Sequence, residues 1–274
     1  MKILIATDME GVSGLTNWDQ TTPGHYEYPR FRKIMTEEVN AAIRGAFEGG
    51  ADDVVVADGH GDGCNILAEE MDSRARLNSG VGSPYSMLQG VDIGVAGIIF
   101  VGYHARAGSP NGVLAHTWSA SRIANVWLND VLVGEYGLNA ALGGHFGVPV
   151  LMITGDQTAC AQAVELLGEL ETVVVKQATS FMSAECLPPQ VAQEKIHQAA
   201  VRSVQRLKAG KAPKPFIVSK PVRVLVELLQ PDYADRAVRL PGVRRLDGLR
   251  IEFTTQEMPA AHMGFRAVVK QAFE

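Results

Sequence analysis

The sequence predicts an α/β protein: a three-layer α/β/α arrangement around a mostly parallel or mixed sheet, with a small C-terminal subdomain. Three observations carry this expectation. Short β-rich runs alternate with segments of helical period along the chain. The runs are continuously apolar, as central strands covered on both faces should be. Several of them stop abruptly at Gly mixed with Asp, Glu or His, a composition that breaks regular structure.

Taken in order, Lys2 to Thr7 reads as the first buried strand. A helix is expected over 28–49, where Met35, Val39, Ala42, Ile43, Ala46 and Phe47 share one face and Gly49-Gly50 ends it. Further strands are expected at 53–57, 97–101 and 148–153, and 122–133 reads as a hairpin turning at Asn129-Asp130. Helices should cover 135–146, 157–169 and 189–208, the last with a cationic outer face. The proline- and lysine-rich stretch 208–221 is the linker candidate. It separates a core, 1–213, from a smaller part, 221–274, packed on that core or continuous with it. In that part, strands are expected over 222–228 and 250–255, followed by a closing helix from 257.

With 274 residues, 46% hydrophobic and 20% charged, the chain is long enough to bury a substantial core. The formal charge of −5 and the lack of a Lys/Arg cluster argue against a nucleic-acid partner. The apolar run before Asp8 is too short for a signal-peptide core, and no stretch reaches the ~18 apolar residues of a membrane span. The expectation is a cytoplasmic protein without a membrane partner. Cys64, Cys160 and Cys186 are scattered and show no CxxC spacing. That excludes a disulfide framework and a thiolate zinc site, so any metal must be held by nitrogen and oxygen.

The chemistry concentrates where strands stop. Ligands of open α/β sheets bind beyond the carboxyl ends of the strands. The first strand runs into Asp8-Met9-Glu10-Gly11, the second into Asp58-Gly59-His60-Gly61, the third into Gly102-Tyr103-His104. If these strands are parallel neighbours, Asp8, Glu10, His60 and His104 converge on one sheet edge. Imidazole and carboxylate together suit zinc, and a bridging carboxylate lets two ions sit ~3.5–4 Å apart. To aim both Asp8 and Glu10 inward the chain must bend at Met9, which Gly11 and Gly14 would permit. Each residue alone has a plainer explanation: Asp8 as a turn cap, His60 and His104 as loop residues. Their conjunction is what loop composition does not predict. No G-x-G-x-x-G, Walker or G-x-S-x-G motif supports nucleotide binding or a serine hydrolase. A two-metal phosphoesterase, with Arg106 for the phosphate charge, and a non-enzymatic peptide-binding protein with structural metals remain alternatives.

Around these residues the sequence resembles the zinc-dependent D-aminopeptidases of the DppA type, once named dipeptide-transport proteins. The matching blocks are Asp-Met-Glu-Gly-Val-Ser-Gly (8–14), Met-Thr-Glu-Glu-Val-Asn (35–40), Asp-Gly-His (58–60), Gly-Tyr-His-Ala-Arg-Ala (102–107), Ala-His-Thr (115–117), Asn-Asp-Val-Leu-Val-Gly-Glu-Tyr-Gly-Leu-Asn-Ala (129–140) and Pro-Val-Leu-Met-Ile-Thr-Gly-Asp (149–156). The resemblance implies a peptidase that removes a small N-terminal residue, Gly- or Ala-like, of either hand, from short peptides. It implies two Zn²⁺ per subunit: Asp8 bridging, Glu10 and His60 completing one site, His104 and Glu135 the other. His116 matches the family's catalytic histidine that holds no metal. A homo-oligomer, in the form of a decameric ring around an enclosed space, is also implied. The stretch Gly108 to Gly112 is one residue longer than the family's form, which points to an altered pocket rim.

Overall fold

The computed structural model describes residues 1–273. In chain order its first half contains β1 (Lys2–Thr7), α1 (Tyr28–Glu48), β2 (Asp53–Asp58), β3 (Arg76–Asn78), β4 (Val95–Tyr103), β5 (Ile123–Leu128), β6 (Val131–Val133) and α2 (Glu135–His145). The second half contains β7 (Val150–Asp156), α3 (Gln157–Leu167), β8 (Glu171–Ser180), β9 (Ser183–Cys186), α4 (Pro189–Lys208), β10 (Val222–Leu228), α5 (Pro231–Ala237), β11 (Arg244–Arg245), β12 (Arg250–Thr255) and α6 (Met258–Phe273).

The expected α/β architecture is present. A seven-stranded sheet has the order β3-β2-β1-β4-β7-β8-β9, parallel except for the antiparallel β9 at its edge. The apolar runs explain themselves by alternation. Ile3 and Ile5 join one core with Val54, Val56, Ile99 and Val101, under α1 and α4. Leu4 and Ala6 join the opposite core with Val55, Ala57, Ile98 and Phe100, under α2 and the second sheet. Because both pleat faces are buried, neither can be polar.

The second sheet is antiparallel, in the order β11-β12-β10-β5-β6. Its hairpin turns at Asn129 and Asp130, whose φ values of 45° and 71° are those of a tight hairpin turn. The stretch 208–221 carries no helix or strand past Lys208, yet it does not mark a sheet boundary. β10 pairs antiparallel with β5, so the second sheet draws strands from both sides of it. The reason lies in β10 itself: Val222, Val224, Val226 and Leu228 are buried while Arg223 and Glu227 face outward. Such a half-apolar strand needs a partner layer on one side and a neighbouring strand on its edge. β3, β8, β9, β11 and α5 were not anticipated from the sequence. None of the described helices is long and apolar enough to cross a membrane.

Candidate metal centre

β1 lies between β2 and β4 and runs parallel to both, so the three strands deliver their following residues to one edge. Backbone bonds continue past the strand ends: Asp8 N–H donates to the Val101 carbonyl at 2.9 Å and Gly11 N–H to that of Gly102 at 2.8 Å. This closeness demands glycine. A Cβ on Gly11 would stand 2.0 Å from the Tyr103 carbonyl oxygen, and one on Gly102, at φ +75°, 2.2 Å from that of Asp8. Asp8, Glu10, His60 and His104 therefore meet, as their positions after the strands predicted. Glu135 reaches the same point from the first turn of α2.

Asp8 stands in the middle. Its Oδ1 is 3.4 Å from His60 Nδ1 and its Oδ2 3.2 Å from His104 Nε2. Glu10 Oε2 lies 3.1 Å from His60 Nδ1, and Glu135 Oε1 3.1 Å from His104 Nε2. The far nitrogen of each ring faces a carbonyl: His60 Nε2 to Thr21 at 3.1 Å, His104 Nδ1 to Ala105 at 2.9 Å. A carbonyl only accepts, so those nitrogens carry the hydrogens and fix both tautomers. The remaining nitrogens face the carboxylates, each able to hold a proton there or to offer its lone pair to a cation.

Electrostatics agree with that picture. Burial disfavours charge on Asp8, but the nearness of the His104 and His60 rings outweighs it and holds its carboxyl well below the usual range. Burial likewise works against ionised Glu10, and His60 overcomes it. Burial also opposes the imidazolium of His60 and His104, yet the surrounding Glu10, Asp8 and Glu135 raise both rings well above the ordinary histidine value. The site is short of positive charge. Asp8 Oδ2 and His104 Nε2 are buried without a hydrogen-bond partner, the condition that a bound cation relieves.

Ligand atoms fall into two groups, Asp8 with Glu10 and His60, and Glu135 with His104 and His116. His116 stacks on His104 with ring centres 4.0 Å apart and an interplanar angle of 10°. Its Nδ1 faces the Leu114 carbonyl at 2.9 Å, and its Nε2 is 3.5 Å from Glu135 Oε1. Asp8, Glu10, His60, His116, Trp118 and Glu135 line a cavity of about 200 Å³. That is below the ~300–1,000 Å³ of drug-sized pockets. Among the described residues, none from the longer 108–112 stretch lines it; the Asn111 carbonyl is instead held by Gln157 and Thr158 of α3. Arg106 lines a different cavity with Leu132 and Tyr136.

Two supporting residues escaped the sequence reading. Lys176, fully buried in β8, donates from Nζ to the carbonyls of Glu10, Val12 (2.9 Å) and Leu15 (2.6 Å), fastening the loop that carries Glu10. A lysine inside Val173-Val174-Val175-Lys176 was the available signal. Trp118 adopts φ +64°, a conformation that costs energy for a bulky residue, and its N–H donates to Glu135 Oε1 at 2.6 Å.

A sequence profile of the D-aminopeptidase family, Peptidase_M55, matches residues 1–267. The chain belongs to this family. A D-aminopeptidase of Bacillus subtilis (strain 168) is 35% identical over 273 residues, spanning 99% of this chain and 98% of that protein. The solved structure of the Zn-dependent D-aminopeptidase DppA from Bacillus subtilis, a self-compartmentalizing protease, superposes with a TM-score of 0.96 at 33% identity. The alignment covers 100% of this chain and 98% of that one. As a member of the D-aminopeptidase family the chain is a hydrolase of peptide bonds.

Proposed function

We propose that this D-aminopeptidase family member is a dinuclear zinc enzyme that removes a small N-terminal D-residue from short peptides. One observation carries the dinuclear reading: the two oxygens of Asp8 face two separate donor groups, and on one side both facing atoms are orphaned. Glu10 and His60 would complete one ion's ligands, His104 and Glu135 the other's. When bound, the ions supply Lewis acidity, activating water and polarising the scissile carbonyl.

The chain's own groups do the rest. Two divalent ions would outweigh the charges of Asp8, Glu10 and Glu135, so the centre would take an unblocked amino end as the neutral amine, whose lone pair an acylated nitrogen lacks. In hydrolysis a bond forms from water oxygen to the carbonyl carbon, the C–N bond breaks, and the departing nitrogen needs a proton. His116 is assigned that transfer. Its Nδ1–H is committed to Leu114, which leaves Nε2 for the proton, and imidazole is the side chain suited to such relays near neutral pH. The related enzyme's self-compartmentalization supports a homo-oligomer whose enclosed space admits only short peptides, and the decameric ring is the form that the family resemblance implies. The free thiols of Cys64, Cys160 and Cys186 support a cytoplasmic location.

The test incubates zinc-loaded protein with D-Ala and L-Ala p-nitroanilides, short peptides, their N-acetylated forms and a phosphate monoester. Release from unblocked D-alanyl substrates, with two zinc ions per subunit by elemental analysis, is expected. Turnover of the phosphate ester alone would overturn the peptidase assignment.

A further inference from the structure

The metal cavity continues into a second groove. Gly59, Gly61, Ser86 and Trp118 are walls of both, so a ligand extending out of one enters the other. Arg266 of α6 also lines this groove. Its guanidinium is partly buried, and Nη1 donates to the carbonyls of Ser83 and Pro84, each at 2.9 Å. Both acceptors are neutral. Burial draws the group's pKa below the usual arginine value, and no acid among the described residues pushes it back. Asp58 shares the groove, but its oxygens are taken by Asn65 N, Asn65 Nδ2 and Ile66 N at 2.6, 2.8 and 2.8 Å.

A half-buried guanidinium whose hydrogen-bond acceptors are neutral carbonyls still has donors to offer, and an anionic ligand would supply its counter-charge. The surrounding construction points the same way. Trp118, the shared wall, is gripped edge-on by His262 at 5.6 Å and Phe265 at 5.5 Å between ring centres, so α6 sets both the wall and the cation. A centre of metal-ligating donors adjoining a groove that presents a guanidinium suits a molecule with a free amine at one end and an anion at the other. A short peptide is such a molecule, and the planar guanidinium is the side chain best matched to its carboxylate.

We propose that Arg266 binds the C-terminal α-carboxylate of a short peptide whose amino end lies at the metal centre. The inference rests on the aminopeptidase reading above and adds the other end of the substrate to it. Each added residue lengthens an extended peptide by ~3.5 Å, so one length should place both charges and its neighbours should miss.

The experiment measures kcat/KM for D-alanyl dipeptides to pentapeptides, as free acids and as C-terminal amides, with D-Ala p-nitroanilide alongside. Wild type, Arg266→Gln and Arg266→Lys are compared. In wild type the acid should exceed the amide by about tenfold or more at the best length, chiefly through KM. Arg266→Gln should bring that ratio close to one, and Arg266→Lys should keep part of it. Because the ratio is taken within one enzyme, a general loss of folded protein cancels. A wild-type ratio near one, or a ratio untouched by Arg266→Gln, overturns the anchor while anilide cleavage leaves the aminopeptidase reading standing. Failure to cleave any of these substrates removes both. An amide with Glu in second position that matches the free acid would transfer the anchor to side-chain carboxylates and overturn the α-carboxylate assignment.

Discussion

The two sheets contribute different kinds of group to one site. Parallel strands all point the same way, so β1, β2 and β4 empty their following residues onto a single edge, and four of the five proposed metal ligands arrive there within a few residues of a strand end. The antiparallel sheet reverses direction at every strand and cannot concentrate side chains in that manner. It serves as a platform for α6, which presents His262, Phe265 and Arg266 along one helical face. Most of the proposed metal ligands thus follow strands of one sheet, and the groups proposed to meet the rest of the substrate are set by a helix packed on the other. Chemistry and selection should therefore respond to different mutations.

The strongest break lies on the parallel edge. Asp8→Ala removes the carboxylate between both donor groups, so zinc content should collapse with turnover, by more than about 10⁴-fold, as read by elemental analysis and anilide release. Retention of two ions would remove Asp8 from the bridging role. His116→Ala is expected to lose about 10²–10⁴-fold in kcat while both ions stay bound. Metal loss in that variant would move His116 into the ligand set, where its position beside Glu135 and His104 also allows it. Lys176→Met comes third. It leaves three loop carbonyls without their donor, so metal affinity should fall by about 10–100-fold, the range usual for outer supports of a metal site. Unchanged affinity would show that the backbone bonds of Asp8 and Gly11 hold the loop by themselves.

The same division separates what the sequence made legible from what it concealed. Asp8, Glu10, His60 and His104 stood out because each interrupts or follows an apolar run, a pattern confined to a few adjacent residues. Glu135 did not, since a carboxylate in a helix's first turn is what the helix dipole already favours, and only the family resemblance drew it out. The pairing of β5 with β10 joins residues such as Val126 and Val226, far apart in the chain, and no local pattern announces it. β8 was obscured because Lys176 spoils its apolar run, and the carbonyls that make a buried lysine tolerable come from the β1 loop. Trp118, His262 and Arg266 acquire meaning only from one another.

The smallest effect sharpens the comparison from the C-terminal side. His262 is fully buried, and neither ring nitrogen has a hydrogen-bond partner. Burial, with Arg266 nearby, depresses its pKa from the ordinary 6.5 to about 3. The folded protein therefore keeps the ring neutral while the unfolded chain protonates near the ordinary value. Its contribution to stability is complete above pH 6.5 and is lost progressively as pH falls through that value toward about 3. His262→Phe keeps an aromatic ring against Trp118 and removes the proton acceptor. At pH 7.5 the variant should melt within a few degrees of wild type, because two unpaired nitrogens are exchanged for apolar edge at the cost of slight overpacking. At pH 4.5 it should melt higher than wild type, since the unfolded chain no longer gains a proton at this position. Parallel melting curves for the two proteins across that range would mean that the ring is hydrated or partnered in solution, and α6 would then be a looser support for Trp118 and Arg266 than the packing of His262 implies.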